Sequence, residues 1–327
     1  MKQRVFSGIQ PTGKIHIGNY LGAIKNWVAS QEKFDNIFCV VDLHAITVPQ
    51  EPKALKAKIR ELAGILLAAG IDTEVSLLFV QSHVCAHAEL AWILNCFTPM
   101  GWMKRMTQFK EKSQKQKEEV SVGLYDYPAL MAADILLYDT DVVPVGEDQV
   151  QHVELTRDIA QRFNSIYGET FKLPKAVIPE IGARIMGLDD PTMKMSKSET
   201  RPGHALNLLD SPDEIRRKIM SATTDSMRDV VFDENRPGIY NLLVIYGLFA
   251  GLSRQQIEER FRDKGYAYFK KDLAEVVIEG LRPFQERYQK ITSDPGYIDS
   301  ILSRGASRVR PMAEKTLAAV KERVGLG

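Results

Sequence analysis

The sequence is poor in cysteine and carries almost no net charge. Its three cysteines, Cys39, Cys85 and Cys96, form no CxxC pair, which argues against a disulfide framework and indicates the reduced thiols of a cytoplasmic protein. The 43 Lys and Arg residues against 42 Asp and Glu leave a formal net charge of +1. No protein-wide basic field therefore attracts nucleic acid, and any such contact must be local.

The sequence also lacks a long apolar run. No stretch approaches the roughly 20 residues that a membrane-spanning helix needs, and the first five residues lack the apolar core of a signal peptide. We find no internal repeat and no low-complexity tail. A chain of 327 residues is long enough for two domains that bury a sizeable core.

The first half of the sequence alternates apolar strands with amphipathic helices. Strands are predicted near 5–6, 37–41, 77–80 and 142–145, and a helix is predicted to begin at Pro52 and to end at Gly70. Each strand is followed by polar residues. This pattern predicts an α/β fold with a Rossmann-like, doubly wound parallel sheet, in which the carboxyl ends of the strands border one ligand crevice.

The alternation is interrupted at roughly 98–130, which we predict to be a helical insertion in the α/β domain. Its Lys- and Gln-rich part, 108–117, leaves two interpretations open. It is either a solvated helix face, the usual meaning of such a run, or a mobile segment at the mouth of the crevice. In the second case the Lys112 ammonium group could reach a polyphosphate.

The last third of the chain has the pattern of helices only. Capping-box sequences begin at Ser211 and Ser253, and long amphipathic stretches follow. We therefore predict an α/β domain over 1–205 and an all-α C-terminal domain over 206–327. Because basic and acidic residues nearly balance in the second domain, its composition does not by itself indicate RNA binding.

The turn after the first strand is the stretch around which the chain is organised. Residues 6–19 have the sequence FSGIQPTGKIHIGN, so glycine, proline and histidine lie where a strand gives way to a helix. Such a turn directs backbone N–H groups and the positive end of a helix at its ligand, which favours phosphate. Gly8 and Gly13 would let a ligand approach the backbone. Taken alone, the stretch is equally well explained as an ordinary Gly- and Pro-rich loop.

A mostly apolar helix predicted over 125–138 carries one carboxylate, that of Asp134. A charge on such a helix is unfavourable unless it is paired or hydrogen-bonded. Asp134 is therefore either a structural residue that is capped or salt-bridged, or an acceptor at the bottom of an apolar pocket that receives one N–H or O–H from a ligand ring. Both interpretations stay open.

Three potential metal ligands, His83, Cys85 and His87, lie close together after the third strand. A structural zinc ion needs four ligands, and no obvious fourth is present. We therefore expect a loop followed by a helix from Ala88 to Phe97 rather than a zinc site.

A second polar stretch, Met193–Ser198, combines two ammonium groups with two hydroxyls between Pro191 and Pro202. On its own it indicates only a solvated charged loop. Together, the two stretches resemble the HIGH and KMSKS motifs of class I aminoacyl-tRNA synthetases. The HIGH motif is written here as residues 16–19, His-Ile-Gly-Asn, and the KMSKS motif is complete at 194–198.

The likeness extends over nearly the whole chain and is to the bacterial tryptophanyl-tRNA synthetases. Further segments of that family stand here at 6–11, 106–110, 131–136, 144–149 and 182–186. Some positions depart from the family pattern: His16 replaces a common Thr, Met193 replaces a common Lys, and Trp102 occupies a place where Glu is expected. No role is assigned to Trp102.

The resemblance implies a set of ligand-binding residues, carried over position by position. Those expected to line ATP are Gln10, Pro11, Thr12, Gly18, Asn19, Gly146, Glu147, Asp148, Ile185, Lys194, Met195, Ser196, Lys197 and Ser198. Those expected around the amino acid are Asp134, as acceptor of the indole N–H, and Phe6, His44, Tyr127, Met131, Val143, Val145 and Gln149. Catalytic roles are expected for Lys194, Lys197, Ser196, Asn19 and Lys112.

The same resemblance implies the reaction and its partners. ATP and L-tryptophan give tryptophanyl-adenylate and pyrophosphate, and the tryptophanyl group then passes to the 3′ end of tRNA(Trp). Mg²⁺ is expected to be held mainly by the ATP phosphates, with no protein metal site and no structural zinc. A cytoplasmic homodimer is expected, with a contact that includes 100–103 and with residues 206–327 as the anticodon-binding domain.

Three other functions remain as alternatives. A tyrosyl-tRNA synthetase shares the class, the fold and an Asp in the pocket, although the run 131–136 and the helical C-terminal domain favour tryptophan. A small-molecule adenylyltransferase of the same superfamily is disfavoured by the KMSKS loop and the helical domain. A catalytically silent tRNA-binding or regulatory protein is disfavoured by the intact Lys194, Lys197 and Gly18.

Overall fold

The structure is a computed structural model that describes residues 2–106, 121–178, 184–197, 199 and 201–327. A five-stranded parallel sheet in the order β3-β2-β1-β4-β5 forms its centre. The strands are β1 (Arg4–Ile9), β2 (Asp35–Val40), β3 (Leu77–Val80), β4 (Val142–Pro144) and β5 (Lys175–Val177). The strand order reverses between β1 and β4, which is the point where doubly wound sheets bind ligands. The predicted Rossmann-like fold is confirmed.

The central strands are apolar because helices cover both faces of the sheet. Residues 36–40 and all four residues of β3 are buried, and the register pairs Phe38 with Leu78. A continuous apolar run is the pattern expected of a strand buried on both sides. Strand β5 was not predicted, because its three residues form no apolar run, and in the structure they are partly exposed.

The helices of the α/β part surround this sheet. They are α1 (Ile17–Asn19), α2 (Lys25–Ser30), α3 (Asp42–Ala45), α4 (Pro52–Ala69), α5 (Ala86–Phe97), α6 (Met100–Met103), α7 (Val122–Leu136) and α8 (Val150–Tyr167). A π-helical turn, Tyr20–Ile24, joins α1 to α2. Within the described ranges, no helix of the protein is both long and apolar enough to cross a membrane.

The helices after the α/β part have ends that local signals explain. They are α9 (Pro212–Met220), α10 (Pro237–Ala250), α11 (Arg254–Arg260), α12 (Tyr266–Thr292) and α13 (Pro295–Val324). The predicted capping boxes at Ser211 and Ser253 are both formed. In the α/β part, Pro52 likewise begins α4, and Gly70 ends it with φ of +111°. Both positions agree with the prediction.

The last helix returns from the C-terminal part to the sheet. Ile298 and Leu302 share an apolar cluster with α4 and α12, whereas Ala306, Val309 and Ala313 share a second cluster with β3 and α5. In this way α13 covers the outer strand of the sheet, whose backbone would otherwise be open to pairing with another chain. The domain division between 205 and 206 stays a prediction.

Gly305 marks the closest approach of α13 to β3. A Cβ atom at this position would lie 1.8 Å from the carbonyl oxygen of Leu78. Because the backbone of a buried strand cannot move aside without loss of its ladder, Gly305→Ala should displace the helix. We expect the free energy of unfolding to fall by about 1–3 kcal/mol or more, measured by urea denaturation.

The matched control for this variant is Gly22→Ala. A Cβ atom at Gly22 would meet no atom within 4 Å, and alanine is the better helix former by about 1 kcal/mol. The control should therefore be neutral or stabilising. An unchanged urea midpoint for the Gly305 variant would show that α13 does not pack on β3 in this way.

Candidate active site

The two sequence motifs meet at the switch point of the sheet. Gly13, in the turn after β1, has φ of +66°, and a Cβ atom there would lie only 2.7 Å from the backbone oxygen of Lys197. The Lys197 Nζ lies 3.5 Å from the carbonyl oxygen of Gln10, to which it donates. The KMSKS loop therefore rests directly on the turn at residues 10–13, although 187 positions of sequence separate Gln10 from Lys197.

The HIGH turn is a capped helix start. His16 precedes α1, and its Nδ1 accepts a hydrogen bond from the backbone N–H of Asn19 at 3.3 Å. The Asn19 Oδ1 accepts one from the backbone N–H of His16 at the same distance. Gly18 leaves room for the imidazole ring, since a Cβ atom there would lie 2.9 Å from Nδ1. These contacts orient the first turn of the helix toward the crevice.

His16 is held in its neutral form. Burial lowers its pKa to about 3, and the positive charges of Lys197 and Lys194 add to that effect. A neutral ring is what the cap requires, because the Nδ1 lone pair accepts the Asn19 N–H.

The KMSKS loop is anchored by backbone pairing with the segment that precedes it. The N–H of Met195 donates to the oxygen of Ile185 at 3.0 Å, and that of Gly187 donates to Met193 at 2.8 Å. Both Ile185 and Met195 are 2% exposed. These two residues were predicted to line ATP, and their buried side chains leave chiefly the backbone available for that contact.

Lys197 brings a charge into a partly buried position. Burial lowers its pKa to about 8, and among the described residues no carboxylate lies within salt-bridge distance of its ammonium group. A buried cation without a counter-charge is suited to an anionic ligand. Ser198 and Lys112 were also predicted for this site, and both lie outside the described residues.

The Asp134 carboxylate of α7 is the centre of a buried hydrogen-bond network. Its Oδ2 accepts from His44 Nε2 at 2.7 Å, and its Oδ1 accepts from Gln81 Nε2 at 2.6 Å and from His87 Nδ1 at 2.7 Å. Burial opposes ionisation of the carboxyl group, but the charges and hydrogen bonds of His44 and His87 outweigh it and lower the pKa to about 2. Asp134 is therefore a paired structural anion.

The network continues through His87 to a tyrosine. The His87 Nε2 lies 2.8 Å from the Tyr138 hydroxyl, and burial raises the pKa of Tyr138, so the phenol stays protonated. A carboxylate offers about four acceptor positions, and three of those on Asp134 are occupied. One position remains for a ligand N–H or O–H, so the two interpretations of Asp134 are compatible.

Several of the residues predicted around the amino acid pack in the apolar cluster that adjoins this network. Phe6 stacks on Tyr138 with ring centroids 5.9 Å apart, and His44 meets the edge of Tyr127 at 6.1 Å. The Tyr127 hydroxyl, predicted to face an ammonium group, is hydrogen-bonded to His152. The remaining aliphatic members pack in the same apolar cluster, and they are Met131, Val143 and Val145.

The segment after β4 forms a tight turn at the same edge of the sheet. Glu147–Gln149 is a 3₁₀ turn, and a Cβ atom at Gly146 would lie 2.8 Å from Asp148 Oδ1. Gln149 Nε2 donates to Asp148 Oδ2 at 2.9 Å. The exposed carboxylates of Glu147 and Asp148 are placed where ribose hydroxyls could donate to them.

Sequence reasoning missed the partners that hold Asp134. In the sequence, Gln81 is one of the polar residues that follow the third strand, and His87 is one of three potential zinc ligands. In the structure His87 lies inside α5 and is fully buried, whereas His83 and Cys85 are exposed. Helical spacing could have identified His87 as inward-facing, because Leu90, Ala91 and Leu94 follow it on the same face. No group of three His, Cys, Asp or Glu side chains suited to a metal is present in the described part of the chain.

Comparison with known proteins places this geometry in a family. The family model of class I tRNA synthetases (W and Y) matches residues 1–282. A tryptophan–tRNA ligase of Wolinella succinogenes is 63% identical over 326 residues, which cover 100% of this chain and 99% of the relative. One of Helicobacter pylori is 57% identical over 325 residues, with 99% of each chain covered.

Solved structures agree with the sequence relatives. The tryptophanyl-tRNA synthetase of Mycoplasma pneumoniae superposes with a TM-score of 0.90 at 37% identity, covering 100% of this chain and 99% of that one. The enzyme of Campylobacter jejuni, complexed with ADP and tryptophan, gives 0.88 at 38% identity, covering 99% and 100%. Since the relatives match from end to end and the two motifs meet at the switch point, the chain belongs to the class I tRNA synthetases of the W and Y family.

Proposed function

We propose that this chain is a tryptophan–tRNA ligase, which activates L-tryptophan with ATP and transfers it to tRNA(Trp). The contact of Lys197 with the Gln10–Gly13 turn is the observation that carries the proposal. It brings ammonium groups, a helix start and backbone N–H groups to one end of the sheet, where a triphosphate would lie. The choice of tryptophan is supported by the names of relatives matched over their whole length.

Adenylate formation needs positioning more than side-chain chemistry. The tryptophan carboxylate attacks the α-phosphorus of ATP, the bond to the β-phosphate oxygen breaks, and pyrophosphate leaves. Lys194 and Lys197 offset the negative charge that accumulates on the leaving group, while the turn at 10–13 holds the nucleotide in line. No covalent intermediate and no side-chain base is required. Mg²⁺ would be carried by the phosphates.

The amino-acid pocket would be the apolar region above Asp134. The free acceptor position on its carboxylate would receive the indole N–H, and Phe6, Met131 and Val143 would surround the ring. A tyrosine hydroxyl could donate to the same carboxylate, so this contact alone does not separate tryptophan from tyrosine. Pyrophosphate exchange assayed with each amino acid singly separates them, because only the cognate amino acid supports rapid exchange.

The first prediction about this function concerns Asp134. Asp134→Asn keeps the volume of the side chain but replaces one acceptor oxygen with an NH₂ group, which is a donor. We expect the discrimination between tryptophan and phenylalanine to fall. A site built to bind a substrate donor can discriminate by ~10⁴-fold, which sets the scale of the loss. The KM for ATP should stay nearly unchanged. The ratio of kcat/KM values in ATP–pyrophosphate exchange measures this.

The matched control is Asp126→Asn, on the same helix. Asp126 accepts from Asn95 Nδ2 at 2.6 Å and belongs to neither predicted ligand set. The Asp126→Asn enzyme should keep wild-type discrimination between tryptophan and phenylalanine. Wild-type selectivity in a folded Asp134→Asn protein would remove Asp134 from amino-acid recognition.

The second prediction concerns Lys197. Lys197→Ala should lower the adenylation rate about 100-fold, the size typical of losing one group that stabilises transition-state charge. Tryptophan binding should be nearly unaffected, because the Asp134 pocket does not include this side chain. Single-turnover formation of the adenylate measures the rate, and equilibrium dialysis measures tryptophan binding. The exposed Lys33 supplies a control, Lys33→Ala.

The pKa of Lys197 gives this prediction a pH dependence. Its pKa of about 8 is depressed by burial, so the ammonium charge is present below that pH and is lost above it. The kcat/KM for ATP reports groups of the free enzyme and should fall as pH rises through about 8. Lys197→Arg keeps its charge throughout, and the decline should disappear. A decline shared by both proteins would assign it to another group.

We also propose a homodimer, in which the helical part of one subunit binds the anticodon of a tRNA whose 3′ end enters the other subunit. Large apolar side chains on α5, α6 and α7 support it: Trp92 is 71% exposed, Met100 62% and Val122 81%. Among these helices, α5 and α6 both pack on α7. Exposed apolar groups of this size mark interfaces.

The third prediction tests this arrangement. Light scattering should give twice the chain mass of 36.9 kDa, and Met100→Glu should reduce it toward one chain mass. Val75→Glu, at an exposed apolar residue outside this surface, is the control. A mixed dimer of one Lys197→Ala subunit and one subunit with reversed charges at exposed basic residues of its helical part, Arg262→Glu and Lys271→Glu, should aminoacylate. A monomeric wild-type mass, or no activity from a folded mixed dimer, would contradict the cross-subunit arrangement.

A further inference from the structure

A buried histidine lies directly behind the KMSKS loop. His204 is 1% exposed, and its backbone oxygen accepts from the N–H of Leu188 at 3.0 Å. Its ring occupies a slot that exists because residue 187 is glycine: a Cβ atom on Gly187 would lie 2.3 Å from the His204 Cε1. The sequence motifs did not include this residue.

The ring joins a side chain on one side to the loop backbone on the other. His204 Nδ1 lies 2.6 Å from Asp189 Oδ1, and Nε2 lies 3.4 Å from the carbonyl oxygen of Lys194. Both partner atoms are acceptors, so each ring nitrogen can donate to its partner when it carries a proton. The contact to Lys194 is long for a hydrogen bond, and it links the ring to the backbone of the loop.

Asp189 is itself fixed by neighbours on both sides. Its Oδ2 pairs with the Arg201 guanidinium at 3.1 Å, and its backbone oxygen accepts from the Thr223 hydroxyl at 2.7 Å. On the far side of the same segment, Asn241 of α10 pairs with the N–H and the oxygen of Met186 at 2.9 and 3.0 Å. The base of the loop is thus held by backbone pairing that includes a bridge between Met186 and Lys194, and His204 adds a side-chain contact to the Lys194 carbonyl oxygen.

We propose that His204 is a positioning residue that holds the Lys194 backbone, and with it the KMSKS loop, against the turn at Gly13. Asp189 orients the ring, Gly187 admits it, and the Lys194 carbonyl receives its second N–H. The inference rests on the proposed role of the loop in adenylation. His204 belongs to neither of the two predicted sets of ligand-binding residues.

Three substitutions at His204 separate the two arms of the contact. Alanine removes both, and we expect kcat for tryptophan-dependent ATP–pyrophosphate exchange to fall about tenfold, the size of one lost hydrogen bond of about 1.4 kcal/mol. His204→Asn places an amide nitrogen near the position of Nδ1, so it keeps the hydrogen bond to Asp189 and loses the one to Lys194. His204→Gln places an amide nitrogen near the position of Nε2, so it keeps the hydrogen bond to Lys194 and loses the one to Asp189.

The proposal predicts an order among these variants. The glutamine variant should stay within about threefold of wild type, and the asparagine variant should resemble alanine. The KM for tryptophan should not change in any of them, because the Asp134 pocket is separate. Active-site titration converts each rate to kcat per competent site, so that misfolded protein does not count. The control is Arg201→Gln, which removes the exposed ion pair of Arg201 with Asp189. Its kcat should stay within about twofold of wild type.

Gly187 provides a double-mutant cycle. Gly187→Ala should lower kcat by displacing the ring, whereas the same change added to His204→Ala should cost less, because only the 3.0 Å approach of the new Cβ to the backbone oxygen of Asp190 then remains. Such non-additivity is expected of residues in direct contact. Equal losses in both backgrounds would show that Gly187 acts independently of His204.

The outcomes distinguish this inference from the proposed function. Unchanged kcat per active site in all three His204 variants, or equal rates for the asparagine and glutamine variants, would overturn the positioning role. If Lys197→Ala slows adenylation in the same assay, the function of the loop stands even then. If Lys197→Ala has no effect, the proposed role of the loop fails first, and the His204 inference fails with it.

Discussion

The close backbone contact between Gly13 and Lys197 is the constraint on which the site depends. With a Cβ-to-oxygen distance of 2.7 Å for any side chain at Gly13, only glycine lets the KMSKS loop lie on the turn after β1. That contact brings two ammonium groups to the ligand edge of the sheet. It also explains why His16 is neutral, because burial and the two lysine charges disfavour an imidazolium there.

The C-terminal helices take part in the site by holding the loop from behind. Asn241 of α10 pairs with both backbone groups of Met186, and Gln285 of α12 donates to the oxygens of Leu208 and Asp210. The segment at 206–208 in turn bonds the residues flanking His16. Thus the helical part and the sheet jointly set the distance between the two motifs, and movement of one would be transmitted to the other.

The amino-acid side of the site depends on a different kind of stabilisation. Asp134 is buried and ionised, and His44, Gln81 and His87 together satisfy most of its acceptor capacity. A buried anion without such partners would be neutralised or expelled. The same paired arrangement fixes the orientation of the carboxylate, so that its remaining acceptor position has a defined direction.

Much of the fold and of the family could be predicted from the sequence. The sheet strands other than β5, both capping boxes and the bounds of α4 follow from apolar periodicity and from Pro and Gly at helix ends. The HIGH and KMSKS segments identified the family, since their residue types and order are specific. The roles of the individual ligand-binding residues remain predictions. The placement of Lys112 and Ser198 lies outside the described residues.

The sequence by itself determined where strands, helices and motifs lie, because periodicity and capping act over a few neighbouring residues. Only the tertiary structure decided which residues meet. His87 turned from a potential zinc ligand into a partner of Asp134, 47 positions away, and Gly305 became the contact of α13 with the backbone of Leu78. His204 likewise gained its role only when Gly187 left space for its ring. Such contacts depend on the packing of distant segments, which no local pattern specifies.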